Sequence, residues 1–299
     1  MTRPRVSIGM PIYNGETFLE ETLVSLLEQT YTAFELIICD NASTDRTQEI
    51  CQTYAAADTR IRYYRNEENL GAAPNYNRTF ALAQGEYFKW CAHDDPCAPT
   101  YLARCVETLD SAPEAIMCYP KTVAIDEAGA VINADSYRDG FNLREEEAHI
   151  RFRNFFDTGI LYHPVFGLMR STILGQTPLI GSFASSDIAL LGELAIRGKC
   201  YELPDPLAFR RVHQQNSIYA NPSNTLVTQW FNPKVKPGRL TTRQKLSLEH
   251  TKSMYRAPLS WSERMKCFKE LIYFHLRTGR FGSFFEGRGN GNPQQVGNL

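Results

Sequence analysis

Phe34 to Asp45 reads FELIICDNASTD: a largely apolar run, then Asp40, then a polar stretch ending at Asp45. Such a run is the signature of a buried strand. A second one, Tyr87 to Cys91, opens into Ala92-His93-Asp94-Asp95. Two buried strands that each end in carboxylates point to one shared site, because ligands of open α/β sheets bind beyond the carboxyl ends of parallel strands. Carboxylates there can hold a hard cation such as Mg²⁺, with phosphate oxygens completing the shell.

Outward from that stretch, helix and strand patterns alternate. Arg5 to Met10 is short and β-branched, and Pro11 is expected to end it. Between Glu16 and Gln29, Phe18, Leu19, Leu23, Leu26 and Leu27 recur at helical spacing. Helices are predicted over 46–57, 72–83 and 99–109, and strands over 61–65, 86–91 and 115–119. This βα alternation predicts a parallel sheet with helices on both faces. Beyond it the pattern loosens. A hairpin is predicted over 121–134, helices over 145–156 and 185–197, and strands over 165–169, 200–203 and 207–212. Residues 220–238, rich in Asn and Pro, read as a linker, and 242–255 and 260–278 as helices. The Gly/Asn/Gln-rich end, 286–299, reads as a disordered tail. The expected division is a catalytic domain over 1–219 (a nucleotide-binding half to about 98, an acceptor half after it), then a helical extension over 220–285 and the tail.

The 299 residues are 43% hydrophobic and 22% charged, with a net charge of −1. That balance fits a globular protein and gives no sign of nucleic acid as partner. The charge is uneven. Residues 234–288 carry 13 Lys/Arg against 4 Asp/Glu, leaving 19 against 29 elsewhere. Aromatics (Trp261, Phe268, Tyr273, Phe274, Phe281, Phe284, Phe285) are interleaved with that basic segment. An amphipathic basic helix can rest on anionic lipid; the same residues can instead cover the catalytic domain or a second subunit, and the oligomeric state stays open. The eight cysteines show no CxxC and no zinc spacing, and several lie in apolar runs. The expected location is a reducing cytoplasm, at the inner membrane face if the basic helices bind lipid. No apolar run reaches the 18 or so residues of a membrane span.

Four groups carry candidate chemistry. Asp40, at its strand end, can accept from a ribose hydroxyl or a base N–H; Asn41 also fits a plain turn and Asp45 a helix N-cap. Asp94 and Asp95 before Pro96 fit a turn or, with Asp40, a cation site that offsets charge on a leaving diphosphate. Asp187, in the first turn of its helix, fits either a dipole-stabilising residue or a general base. Arg211 and His213, with Arg210 and Ser217 nearby, fit a phosphate clamp and a further metal ligand, or a structural histidine. There is no GxGxxG, no P-loop and no nucleophile elbow.

The segments SIGMPIYNGETFLEETLVSLLEQTY, FELIICDNASTDRTQEI, NLGAAPNYNRTFALAQGEYFKWCAHDD and IDEAGAVI together resemble the family 2 glycosyltransferases of the GT-A fold, from about Val6 to Ser217. The resemblance implies a Rossmann-like mixed α/β sheet and inverting transfer from a nucleotide-diphospho-sugar, a UDP-sugar above all, with Mg²⁺ or Mn²⁺. The implied acceptor is a hydroxyl of a saccharide or lipid-linked saccharide in cell-surface polysaccharide synthesis. It implies that Pro11 and Tyr13 line the nucleobase and that Asp40 and Asn41 bind base and ribose. It further implies that Asp94 ends the D-x-D element, with Asp95 as direct metal ligand. Asp187 then falls at the catalytic base, and Arg211 and His213 beside diphosphate and metal. Departures are Asn41 where a second acid is common, Ala92 in place of the first acid of D-x-D, and Ser186 before Asp187. Rival readings are a nucleotidyltransferase, which lacks its Gly-rich phosphate loop here, and a non-catalytic nucleotide-sugar or glycan-binding relative.

Overall fold

The structure is a computed structural model that describes residues 4–137, 140–158, 163–214, 224–234 and 240–279. The proposed tail over 286–299, Phe281, Phe284, Phe285, and residues 215–223 (with Ser217) and 235–239 lie outside the described residues.

The first half alternates as expected: β1 (Val6–Ile12), α1 (Leu19–Leu27), β2 (Phe34–Asp40), α2 (Thr47–Ala57), β3 (Ile61–Arg65), α3 (Ala72–Ala81) and β4 (Tyr87–Trp90). Next come α4 (Tyr101–Ser111), β5 (Ala115–Ile125), β6 (Val131–Tyr137), α5 (Ala148–Asp157), β7 (Leu168–Arg170), α6 (Ser171–Leu174), α7 (Ser186–Arg197) and β8 (Lys199–Arg211). The extension holds α8 (Asn224–Phe231), α9 (Thr242–Arg256) and α10 (Trp261–Gly279). A 3₁₀ turn over His163–Phe166 precedes β7.

Among the described residues the strands form one mixed sheet in the order β3-β2-β1-β4-β7-β5-β6, with β8 along the other side of β5. β3, β2, β1 and β4 run parallel; β7 is antiparallel to both β4 and β5. All seven residues of β2 are buried, as a strand covered on both faces requires. Its one internal charge, Glu35, accepts from Ser7 Oγ at 2.6 Å and pairs with Arg62 at 2.6 Å. One face of the sheet packs on α1, α2 and α4, through Leu19, Leu23, Ile50, Leu102 and Leu109 among others. The opposite face is covered by α3, α5 and α7, with α9 and α10 packed outside on α7 and α5; the cluster includes Phe152, Phe155, Leu191, Met254 and Leu271.

Three local readings are corrected. Pro11 does not end β1, which runs on to Ile12. Asn41 N–H donates to Ile12 O and Cys91 N–H to Gly9 O, so odd-numbered residues of β1 turn their peptide groups toward β4. The β4 pairing stops at Gly9–Trp90, so at Pro11 no ladder bond is lost. The two strands predicted over 200–203 and 207–212 are one strand, β8. Its register against β5 jumps from Pro120–Leu203 to Lys121–Pro206, a bulge that takes up the prolines that broke the sequence pattern. The predicted linker contains α8. Its end packs on the start of α3, where a Cβ at Gly71 (φ +85°) would meet the Asn232 backbone.

The basic extension is fastened to α7. Glu193, 1% exposed, accepts from Arg197 on its own helix and from Arg256 and Ser253 of α9. Next to it Gly192 has no side chain, and a methyl there would overlap the His250 ring of α9. Phe274 of α10 stacks on Phe156 at 4.2 Å. Part of the aromatic set therefore covers the body of the protein. The outer side of α10 is another matter: Trp261, Met265, Ile272 and Leu276 form a helical stripe that is exposed, Trp261 and Leu276 at 68% each. Among the described residues no helix is long and apolar enough to cross a membrane.

Candidate active site

Two loops at the carboxyl ends of β1 and β2 are laced together. Asn14, in the left-handed region (φ 51°), donates its N–H to Ser43 Oγ and accepts at Oδ1 from Thr44 N–H. Gly15 N–H donates to Thr47 Oγ1, and Asp45 accepts from Glu16 and Thr47 N–H. Asp45 thus joins the two loops as well as starting α2. Tyr13, 45% exposed, stands out from this base, while Pro11 is buried within β1.

Asp40 and Asn41 sit at the end of β2 as predicted, yet both side chains are turned into the protein. Asp40 is fully buried and accepts from Ser43 N–H at 2.8 Å and the Tyr63 hydroxyl at 2.7 Å, with Arg65 Nε at 3.4 Å. Asn41 Oδ1 accepts from Leu70 N–H and Asn66 Nδ2; its Nδ2 donates to Asn69 Oδ1 and Gly71 O. These four bonds fill the capacity of the amide. The expectation that Asn41 contacts base or ribose is corrected on that ground: it ties the loop before α3 to β2. An amide in place of the second acid also gains its reason, since a carboxylate cannot donate to Asn69 and Gly71. Asn41→Asp is expected to lower stability by about 2–4 kcal/mol through lost donors and carboxylate–carbonyl repulsion. A change under about 1 kcal/mol in urea denaturation would refute this role.

The second shelf is built by β4 and β8 together. Asp94 Oδ2 lies 2.8 Å from His213 Nε2. Asp95 Oδ1 accepts from the Arg211 backbone N–H at 2.9 Å. Burial alone would push the Asp94 carboxyl up, but the His213 hydrogen bond and nearby imidazoles hold it below the usual range. Burial, then the charge of Asp94, pushes Asp95 well up. Two neighbouring carboxyls driven apart in this way divide into a charged one paired with His213 and one held toward its neutral form, which an added cation would ionise.

Arg211 departs from its expected contact with diphosphate. Its side chain is fully buried, over the Phe18 ring at 4.7 Å and paired with Glu21 at 2.6 Å. It also donates to the carbonyls of Asp94, Asp126 and Glu127. A guanidinium so enclosed positions the shelf and the β5–β6 turn; it presents no surface to a ligand. His213 packs on the same Phe18 ring, centroids 4.8 Å apart.

Asp187 reaches this shelf through α3. Asn77 of α3 exchanges two hydrogen bonds with Ile180, just before the α7 turn. Tyr76 O accepts from Trp90 Nε1 of β4 at 3.0 Å. Ser185, left-handed at φ 65°, then starts α7 with Asp187 half-buried in its first turn. Burial, followed by the charges of Asp94, Asp95 and Asp187, pushes the Tyr76 hydroxyl up. One phenol thus lies in the field of three acids from two separate parts of the chain. Tyr76 was not singled out in sequence because in PNYNRT it reads as one more helix-face aromatic.

The donor set suits a hard divalent cation. Asp95, half-buried, can offer an oxygen and His213 an imidazole, and a cation would offset the charge that raises Asp95. Among the described residues no group of three His, Cys, Asp or Glu side chains suited to holding a metal occurs. Phosphate and water would therefore have to complete the shell, as is usual for Mg²⁺.

Residues 7–174 match the family Glycosyl transferase family 2. Over 93 residues the chain is 41% identical to the putative teichuronic acid biosynthesis glycosyltransferase TuaG of Bacillus subtilis (strain 168), covering 31% of this chain and 37% of that protein. The chain thus matches well under two thirds of that relative's length. Crystal structures with the same fold include S. aureus TarS 1-349 in complex with UDP, at TM-score 0.64 and 16% identity, covering 95% of this chain and 77% of that one. They also include the mannosyltransferase PcManGT from Pyrobaculum calidifontis with GDP-Man and Mn²⁺, at TM-score 0.60 and 17% identity, covering 92% and 71%. With the mixed GT-A sheet and a family match over more than half its length, this chain belongs to glycosyl transferase family 2.

Proposed function

We propose that the protein is an inverting glycosyltransferase of polysaccharide synthesis. It takes a sugar from a nucleotide-diphospho-sugar, a UDP-sugar first, to a hydroxyl of a saccharide or lipid-linked saccharide. The observation that carries this reading is the shelf beyond β4, where Asp94 meets His213 at 2.8 Å and Asp95 accepts from the Arg211 backbone N–H at 2.9 Å, with Tyr76, held to β4 through Trp90, in the field of both acids and of Asp187 from the first turn of α7. In this reading Tyr13 faces the nucleobase, and Asp40 and Asn41 shape the nucleoside wall from behind. Asp95 and His213 would hold Mg²⁺ or Mn²⁺, which would supply positive charge to offset that on the leaving diphosphate. Asp94 orients His213, and the Arg211 backbone N–H orients Asp95. Asp187 takes the proton of the acceptor hydroxyl as that oxygen attacks the anomeric carbon; the bond to diphosphate breaks on the opposite side, inverting the centre.

The test is thermal stability with UDP, GDP and their sugars, with and without Mn²⁺. A cognate nucleotide at about 100 times its Kd stabilises by about 2.7 kcal/mol, a rise of roughly 5–10 °C. In Asp95→Ala the added effect of Mn²⁺ should vanish. No shift with any nucleotide would refute the reading; an unchanged Mn²⁺ effect in the variant would remove Asp95 as ligand.

The same proposal includes contact of α10 with anionic lipid, supported by the exposed Trp261–Leu276 stripe beside Lys266 and Lys269. The full chain should co-sediment with phosphatidylglycerol vesicles, and the triple change Trp261→Ser, Ile272→Ser, Leu276→Ser should reduce this several-fold. A wild-type chain that stays in the supernatant rules the contact out.

A further inference from the structure

Lys89 is the third residue of β4, in register with Ile8 of β1. Its side chain therefore points to the apolar face covered by α4, and it is only 3% exposed. Its ammonium lies over the Tyr101 ring, 4.8 Å from the centroid. That ring is itself held by a hydrogen bond from the Tyr101 hydroxyl to Phe166 O. Among the described residues no acceptor or carboxylate completes the ammonium. A buried charge without a counter-charge is rare, because desolvation costs far more than one aromatic contact returns.

The ammonium borders a small cavity of about 40 Å³ beneath the Asp95–Cys97 loop, lined also by Asp95, Tyr119, Thr122 and His163. The nearby thiols supply no anion: burial pushes Cys91 up to about 12 and Cys97 upward as well. His163 is neutral too, held at about 3 by burial and by Arg210, whose Nη1 lies 3.1 Å from His163 Nε2. Asp95 is the one carboxylate in the lining, and it is the residue that the cavity shares with the cation shelf.

We propose that this cavity is a subsite for one carboxylate group of a substrate, with Lys89 as its counter-ion. Three features favour a carboxylate over a phosphate or sulfate. The space suits about three water-sized atoms. The walls include the aromatic rings of Tyr101, Tyr119 and Phe209 and suit a planar group. The single unpartnered ammonium matches a monoanion. Because Asp95 is common to cavity and shelf, the carboxylate belongs to a sugar at the reacting end, carried by the donor or by the acceptor.

The inference rests on the transferase reading and sharpens its substrate class. Its test measures Kd with Mn²⁺ for wild type and Lys89→Met. The donor arm compares UDP, UDP-glucose and UDP-glucuronate, or GDP, GDP-mannose and GDP-mannuronate if guanine nucleotides are the ones that bind. The acceptor arm compares an oligosaccharide ending in glucuronate with its methyl ester. A charge-assisted contact should favour the carboxylated member of one arm by about 10- to 100-fold in wild type. Lys89→Met should erase that preference and leave nucleotide affinity unchanged. The wild-type comparison stands even if the variant folds poorly. If no nucleotide binds wild type, the transferase reading fails. If nucleotide binds but neither arm prefers its carboxylate, or the preference survives in folded Lys89→Met, the subsite is refuted.

Discussion

Asp187→Asn should cut kcat about 10²–10⁴-fold while nucleotide affinity stays within a factor of two or three. The range is that of a lost general base. An amide keeps the size and much of the hydrogen bonding of the carboxylate, so the α7 turn and the Asn77–Ile180 clasp remain. The loss of one negative charge from the first turn of a helix costs about 0.3–1 kcal/mol, too little to unfold the chain. Binding and turnover should therefore separate. Single-turnover kinetics with the donor identified by thermal shift would show it, and wild-type turnover in the variant would remove Asp187 from the role. A fall in nucleotide affinity equal to the fall in turnover would instead make it a donor-binding residue.

Glu193→Ala should lower stability by about 3–5 kcal/mol, because it breaks a buried ion pair from one side. Glu193 is 1% exposed and the Arg197 side chain 3%. Without the carboxylate, Arg197 keeps its bonds to Gln176 but loses its counter-charge, and Arg256 loses its hold on α7. For a chain of this size the loss corresponds to a fall in Tm of roughly 6–20 °C. Glu193→Gln, which retains shape and one acceptor, should fall between the two. A calorimetric drop under about 1 kcal/mol for Glu193→Ala would mean that the pairs are solvated. Under the role proposed for Asp187, which lies six residues earlier on α7, this contact would be coupled to turnover. An undocked α9 should lower kcat in addition to Tm.

The alternation from Val6 to Trp90 was legible because a strand covered on both faces must be apolar along its length, and an amphipathic helix must repeat its apolar residues. Both requirements act within a few residues. Asp40, Asp94, Asp95 and Asp187 were legible as a set for a related reason: acids directly after apolar strands, or in a helix's first turn, lie where ligands of such sheets bind. Strand ends were less legible. Pro11 stays in β1 and Pro206 in β8 only because the neighbouring strand has ended or bulges there, which no local pattern records. The linker reading over 220–238 missed α8 because its Asn/Pro flanks outweighed an eight-residue helix that is packed against α3.

Sequence by itself determined the fold class, the family and the types of group at the site. Tertiary structure decided which of those groups can meet a ligand. Arg211, Asp40 and Asn41 stand in the expected places, yet their side chains are buried and committed to Glu21, Tyr63, Asn69 and backbone groups far along the chain. Tyr76 and Lys89 lie inside a segment of the resemblance that assigns them no role; one lies within the field of three acids and the other beside a small cavity. Hydrogen-bond capacity and desolvation depend on neighbours brought together by folding, so they leave no periodic trace in the chain that specifies them.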